Sequence, residues 1–137
     1  MAARVGRLAL LDGSDRPRVL PVTFAVHDGA VWSAIDEKPK RSAHPARIRW
    51  LRRRPEAALL IDVYDEDWAK LAWVQLLGTI DVLAAADHPA VLDALANRYP
   101  AYRARRPPGP LLKLTIERAV HWRALDSQAA GGSTLGC

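Results

Sequence analysis

Cysteine is nearly missing from this chain: there is one, Cys137, and it is the last residue. A lone thiol excludes an internal disulfide and points to the cytoplasm, where thiols stay reduced. At the chain end it reads as a tail residue, not a nucleophile. Long hydrophobic runs are missing too. No stretch reaches the about 18 apolar residues that a membrane span needs. The opening MAARVGRLALLDG lacks the apolar core and small-residue cleavage site of a signal peptide. No glycine-rich loop of the G-x-G-x-x-G or Walker kind is present, so any phosphate must be held by side chains and a helix start. The four histidines, at 27, 44, 88 and 121, have no second ligand at metal spacing, and no metal site is expected. Asp65-Glu66-Asp67 lacks the surrounding Asp/Asn-rich pattern of a calcium loop and reads as a solvated corner. There is no Gly-x-Ser-x-Gly elbow and no nucleophile with an orienting base, so no catalytic side chain is assigned. No internal repeat is found.

What the chain does have is a soluble globular profile, with 50% hydrophobic and 26% charged residues in 137. That is one domain's worth, expected over residues 1–126, with the tail SQAAGGSTLGC at 127–137 expected to be disordered. The net charge of +5 is unevenly placed. Of 20 Lys and Arg and 15 Asp and Glu, eight and one fall between residues 37 and 54, which leaves 12 and 14 for the remainder. The whole basic excess therefore sits in one stretch, the mark of a local anion site.

The first third reads as strands. RVGRLALL at 4–11, RVLPVTFAV at 18–26 and AVWSAID at 30–36 are separated by the turn signals Asp12-Gly13 and His27-Asp28-Gly29, an antiparallel meander. On the second strand Leu20, Val22, Phe24 and Val26 are expected to share a face. Pro21 cannot donate to a ladder, which places this strand locally open or at an edge. Residues 37–45 form a loop between Pro39 and Pro45, and 46–54 an amphipathic helix with Ile48 and Leu51 on one face and Trp50 off it; Pro55 stops it. AALLIDVYD at 57–65 reads as a buried central strand. KLAWVQLLGTIDVL at 70–83 reads as a long strand bent or bulged at Gly78. Asp87 is expected to cap a helix over HPAVLDALANRY with Val91, Leu92 and Leu95 inward. LLKLTIE at 111–117 alternates strictly. About six strands and two helices predict a mainly β fold, a small β-barrel, since a doubly wound sheet needs alternation throughout.

Three readings compete for the basic stretch. A nucleic acid would want cations spread over a surface with stacking aromatics, but the rest of the chain is slightly acidic and the stretch has only Trp50. Arg52, Arg53 and Arg54 read equally well as a solvated helix face. A single phosphate suits Lys38, Lys40 and Arg41, which lie between a strand end and a helix start. Five tryptophans are many for this length; Trp32, Trp68, Trp73 and Trp122 suit the lining of a cavity or a subunit contact.

Taken together, RVGRLALLDGSDRPRVLPVTFAVHDGAVWSAIDEKPKR and the later VYDEDW resemble the pyridoxamine-phosphate-oxidase-like flavin-binding proteins, and more narrowly their branch that uses the deazaflavin coenzyme F420. The resemblance runs from about Arg4 to Trp122. It implies a split β-barrel acting as a homodimer, with two cofactor sites at the subunit interface. Lys38, Lys40 and Arg41 with Ser42 would hold the cofactor phosphate. Pro21, Val22, Thr23 and Phe24, with Ser33 and Ala34, would border the ring, with Arg49 and Trp73 beside them. Arg47, Arg49 or the arginines of RARR would attract an oligoglutamate tail, and Tyr64 and Trp68 would serve the acceptor pocket. Trp50 departs from the family pattern, which has Asn there, and Ala72, Trp73 and Gln75 stand where the pattern has an aromatic pair and an Arg. The implied activity is hydride transfer between reduced F420 and an enone- or quinone-type acceptor. FMN as the cofactor, or a module that binds without turnover, are the alternatives.

Overall fold

The computed structural model describes residues 3–35 and 46–124. Seven strands form one antiparallel sheet: β1 (Gly6–Leu11), β2 (Pro17–Val22), β3 (Ala25–His27), β4 (Ala30–Ala34), β5 (Glu56–Val63), β6 (Ala72–Leu83) and β7 (Leu111–Arg123). Three helices accompany them, α1 (Ala46–Arg53), α2 (Pro89–Arg98) and α3 (Pro100–Ala104). The strand order is β2-β1-β5-β6-β7-β4-β3. Its two edge strands, β2 and β3, are successive pieces of chain with only Thr23 and Phe24 between them. Val22 and Ala25 are three Cα steps apart, about 11 Å at most, so the sheet must curl until its edges meet. Leu8, Val22, Val31, Leu59, Ile80 and Leu114, from six different strands, accordingly pack into one core. This is a split β-barrel, closed at one corner by the covalent chain instead of a ladder.

That corner overturns the expectation of a single strand over 18–26. Val22 and Phe24 are both buried, but Ala25 is buried as well and Val26, expected on the face of Val22 and Phe24, is 66% exposed. Side-chain alternation changes phase where the chain passes from one sheet edge to the other. Pro21 lies opposite Arg7 on edge strand β2, where its missing N–H costs no interior ladder bond.

Helix α1 covers the barrel with Ile48 and Leu51, each 1% exposed, at about 1.5–3 kcal/mol per side chain. Trp50 is half-buried against the same core, with the Arg18 guanidinium 4.9 Å from its ring centroid. Part of its burial thus comes from this chain alone. The other end of the barrel is plugged by α2 and α3, whose Val91, Leu95, Ala96 and Tyr102 pack with Trp32 and Leu111. Asp87 ends a short 3-10 turn (Ala85–Asp87) and does not cap α2; His88 takes that position without a side-chain cap bond. Helix α3 corrects the reading of RARRPPGP as a connector too stiff for a helix: the first two residues of that stretch, Arg103 and Ala104, close α3, whose Pro100 sits in the first turn, where proline is at home.

The β1–β2 hairpin is tied to α1 through charge. Asp12 lies below the usual carboxylate range because the Arg16 and Ser14 amides donate to it, with Arg18 adding to the effect. Asp15 is lowered by the hydrogen bonds and charges of Arg53 and Arg54, both 3.0 Å away. A carboxylate depressed in the folded state stabilises above its unfolded pKa of about 3.9 and ceases to as pH falls through the folded value. Thermal midpoints followed by circular dichroism should therefore be level above about pH 5 and fall below about pH 4, and fall less steeply for Asp12→Asn with Asp15→Asn. Superimposable acid limbs would remove these two groups from the account.

Candidate functional site

The corner at Thr23 and Phe24 has no strand beside it, so its polar groups need other partners. Tyr99, at the α2–α3 junction, supplies them. Its hydroxyl accepts from the Phe24 amide at 3.0 Å and lies 3.1 Å from the Phe24 carbonyl and 2.9 Å from that of Arg4, to which it can donate. The Arg98 Nε donates to the same oxygen at 3.1 Å, and its guanidinium lies 4.5 Å from the Phe24 ring centroid. Tyr102 shares a 2.8 Å hydrogen bond with the Thr23 hydroxyl, and the buried Ser33 hydroxyl donates to the Thr23 carbonyl at 2.7 Å. A tyrosine hydroxyl both accepts and donates, which lets one side chain stand in for a missing ladder.

Six residues expected at the ring border thus come together: Pro21, Val22, Thr23 and Phe24 on one chain piece, Ser33 and Ala34 on β4 next to it. Their polar groups are largely engaged. Both backbone groups of Phe24 and the Ser33 hydroxyl are held internally, Val22 and Ala34 are buried, and Pro21 is exposed. Lys38, Lys40, Arg41 and Ser42, like the tail 127–137, lie outside the described residues; in the sequence they follow β4 directly. Arg49 is exposed on α1 and has interactions of its own.

Trp73 is placed elsewhere. It sits on β6, which stands three ladders from β2 in the sheet, about 14 Å along the hydrogen-bonding direction. There it pairs across strands with Trp122. Tyr64 and Trp68, 65% and 69% exposed, lie past the end of β5; the Trp68–Lys70 turn is capped by Asp67, which accepts from the Ala69 amide at 3.1 Å. One copy of the chain therefore does not gather all the expected residues into a single pocket.

The register shows what covers the barrel's outside. Leu59 and Ile61 face the core, so Ala58 and Leu60 face outward, as do Ala9 opposite Ala58 and Leu77 opposite Ala58 on the other side. With Trp73 and Trp122 they form the apolar part of an outer face that also carries Arg7, Asp62, Gln75 and Arg118 by register, and each of these apolar side chains is half-buried. Strand β5 is central, as expected, but buried on one face only.

Tyr99, Tyr102 and Arg98 were missed from sequence. Two tyrosines three apart in NRYPAYRARR share a helical face, but their partners lie more than seventy positions away. Among the described residues, no group of three or more His, Cys, Asp or Glu is placed to hold a metal, and no helix is long and apolar enough to cross a membrane.

This architecture is the split barrel of the pyridoxamine-phosphate-oxidase-like fold. Searches of protein families and of curated proteins find no match. Among solved structures, the chain is similar to the conserved hypothetical protein Rv2991 of Mycobacterium tuberculosis, with TM-score 0.74 and 19% identity over 98% of this chain and 84% of that one. It is also similar to a Clostridium acetobutylicum protein related to general stress protein 26, of the pyridoxinephosphate oxidase family, with TM-score 0.61 and 19% identity over 90% and 82%. A third is HutZ, the heme storage protein of Vibrio cholerae, with TM-score 0.68 and 15% identity over 88% and 86%. At these identities the likeness is one of fold. That an oxidase-family protein and a heme store both use it shows that the barrel alone does not choose the cofactor.

Proposed function

We propose that the protein is a homodimeric oxidoreductase that binds coenzyme F420 where two copies meet. The observation that carries this reading is the placement of β4. Its Ser33 is bonded to the Thr23–Phe24 corner at 2.7 Å, and the chain runs from its end straight into the eight-cation stretch. A ring border of small, internally satisfied residues is thereby joined in sequence to the cations that suit a phosphate and an acidic tail.

The residues present fit such a group in their chemistry. Pro21, Ser33 and Ala34 offer no bulky side chain to hold a flat ring away, and Lys38, Lys40, Arg41 and Ser42 are phosphate ligands by type. When bound, a reduced deazaflavin supplies a hydride to an electron-poor conjugated acceptor, and the protein's task is binding, orientation and exclusion of water. Tyr99 and Tyr102 keep the ring border in one conformation. Trp73, a quarter of the barrel or more away from Pro21 in one copy, would reach the other copy's site across the apolar outer face. Tyr64 and Trp68 would meet the acceptor. No side chain is needed as an obligatory base, in keeping with the absence of a catalytic constellation.

Tryptophan fluorescence titrated with F420, FMN and hemin tests the choice of cofactor. F420 is expected to bind most tightly, and Lys40→Ala with Arg41→Ala to weaken it at least tenfold, about 1.4 kcal/mol. Preferential binding of FMN or hemin would replace the cofactor; undiminished affinity in the double variant would remove the phosphate site. Reduced F420 presented with quinones and enones should then be oxidised. Binding without oxidation would make the protein a carrier module.

A further inference from the structure

Beside the Thr23–Phe24 corner, between edge strand β3 and α2, lies an open groove of about 450 Å³ lined by Arg4, Phe24, Ala25, Val26, Ala94, Asn97 and Arg98. Pockets that take small molecules fall within about 300–1,000 Å³ and are mostly apolar with a few placed polar groups. This groove has that composition, and Val26, 66% exposed, is among the most exposed large apolar side chains described.

Both guanidiniums at this groove bond to neutral oxygens. Arg98 donates to the Ala3 carbonyl and to the Tyr99 hydroxyl, and Arg4 donates to the Arg98 carbonyl at 2.6 Å. All of these acceptors are neutral. Neither arginine has a carboxylate within ion-pair distance among the described residues, and no residue lining the groove is acidic. Elsewhere some arginines find acids, Arg18 with Asp12, Arg53 and Arg54 with Asp15, Arg106 with Asp93, while Arg103 is likewise held by the Ala96 and Asn97 carbonyls but does not line the groove. Here two positive charges are oriented by backbone and hydroxyl oxygens beside apolar walls, and no acid among the described residues pairs with them. Guanidinium groups held in place in this way are suited to a planar oxyanion.

The geometry points to a binding site for a small amphiphilic carboxylate, its head between Arg4 and Arg98 and its hydrocarbon body along Ala25, Val26 and Ala94. A bare inorganic anion would leave those walls wet, and a neutral apolar compound would leave the charges unmet. The groove shares Phe24 with the proposed ring border, but its test involves no cofactor and stands or falls apart from that reading.

The full chain, labelled with ¹⁵N, is titrated with octanoate, octanamide and inorganic phosphate while amide resonances are followed. Octanoate is expected to shift resonances of β3 and of α2 around Ala94, saturably, and to bind at least tenfold more tightly than either of the others. Val26→Glu, at an exposed position, brings a carboxylate into the groove and should weaken octanoate at least tenfold with an unchanged thermal midpoint. Arg4→Gln, which keeps a donor for the Arg98 carbonyl, should weaken it several-fold. No saturable shift at millimolar octanoate, equal binding of octanamide, tighter binding of phosphate, or indifference to both substitutions would each overturn the assignment.

Discussion

Gly78→Ala is expected to destabilise the protein by about 3 kcal/mol or more, or to prevent folding. A Cβ built at Gly78 lies 1.8 Å from the Thr115 carbonyl oxygen and 2.9 Å from the carbon behind it. Both are backbone atoms of β7, so no rotamer change relieves the clash. The strands would have to separate at the Leu77/Gly78 bulge, where their register shifts. That is the middle of the longest ladder in the sheet, twelve residues of β6 against thirteen of β7. Overpacking in a core ordinarily costs about 1–3 kcal/mol, and more where the neighbour cannot give way. Gly6→Ala is the useful contrast: its Cβ would come within 2.9 Å of the Leu59 Cδ1, a side-chain terminus that can rotate, so a milder loss is expected. Urea melts of both variants provide the comparison. A Gly78→Ala protein within 1 kcal/mol of the parent would mean that β6 and β7 can pair without this bulge.

The second large effect concerns assembly. Leu60→Glu combined with Leu77→Glu is expected to convert a dimer into a monomer of 15.1 kDa and to weaken F420 binding at least tenfold. Both leucines are half-buried on the outer face, at its centre by register. Burying an apolar side chain fully is worth about 1.5–3 kcal/mol, whereas two carboxylates in their place would have to lose their water in the dimer together with the arginines across the strand from them. In the separate protomer each has a cation across the strand, Arg7 opposite Leu60 and Arg118 opposite Leu77, so the variant should fold. Sedimentation equilibrium reads the mass, and circular dichroism the fold. A parent protein that is monomeric at tens of micromolar would end the dimer proposal. A variant still dimeric would move the interface to another face. Loss of cofactor binding together with the dimer, in a folded variant, is the outcome expected if each site draws on both copies.

Local chemistry was legible without the structure wherever one stretch contained its own reason. Asp12-Gly13 and Asp28-Gly29 marked turns that the structure retains between β1 and β2 and between β3 and β4. Gly78 announced its bulge, and Ile48 and Leu51 their buried face. The misplaced features share a different cause. The passage from Val22 to Ala25 looks like uninterrupted strand because each residue suits a strand; its break comes from the requirement that the two ends of the sheet meet. Asp87 is a good cap by composition, but the preceding turn uses its position. Tyr99 and Tyr102 went unremarked because their hydroxyls serve Thr23 and Phe24, far off in the chain.

From the order of residues alone followed a mainly β barrel and the location of its basic excess in one stretch, residues 37–54, from the end of a strand through a helix. These depend on side-chain type and near-neighbour spacing, which sequence displays directly. Only the folded chain decided that β2 and β3 stand at opposite sheet edges joined by a two-residue corner. The same fold turned Arg98 and Tyr99 to that corner, left Trp73 on an outer face, and set two arginines beside an apolar groove. Those are contacts between distant parts of the chain, set by how the sheet curls, and no local pattern encodes them.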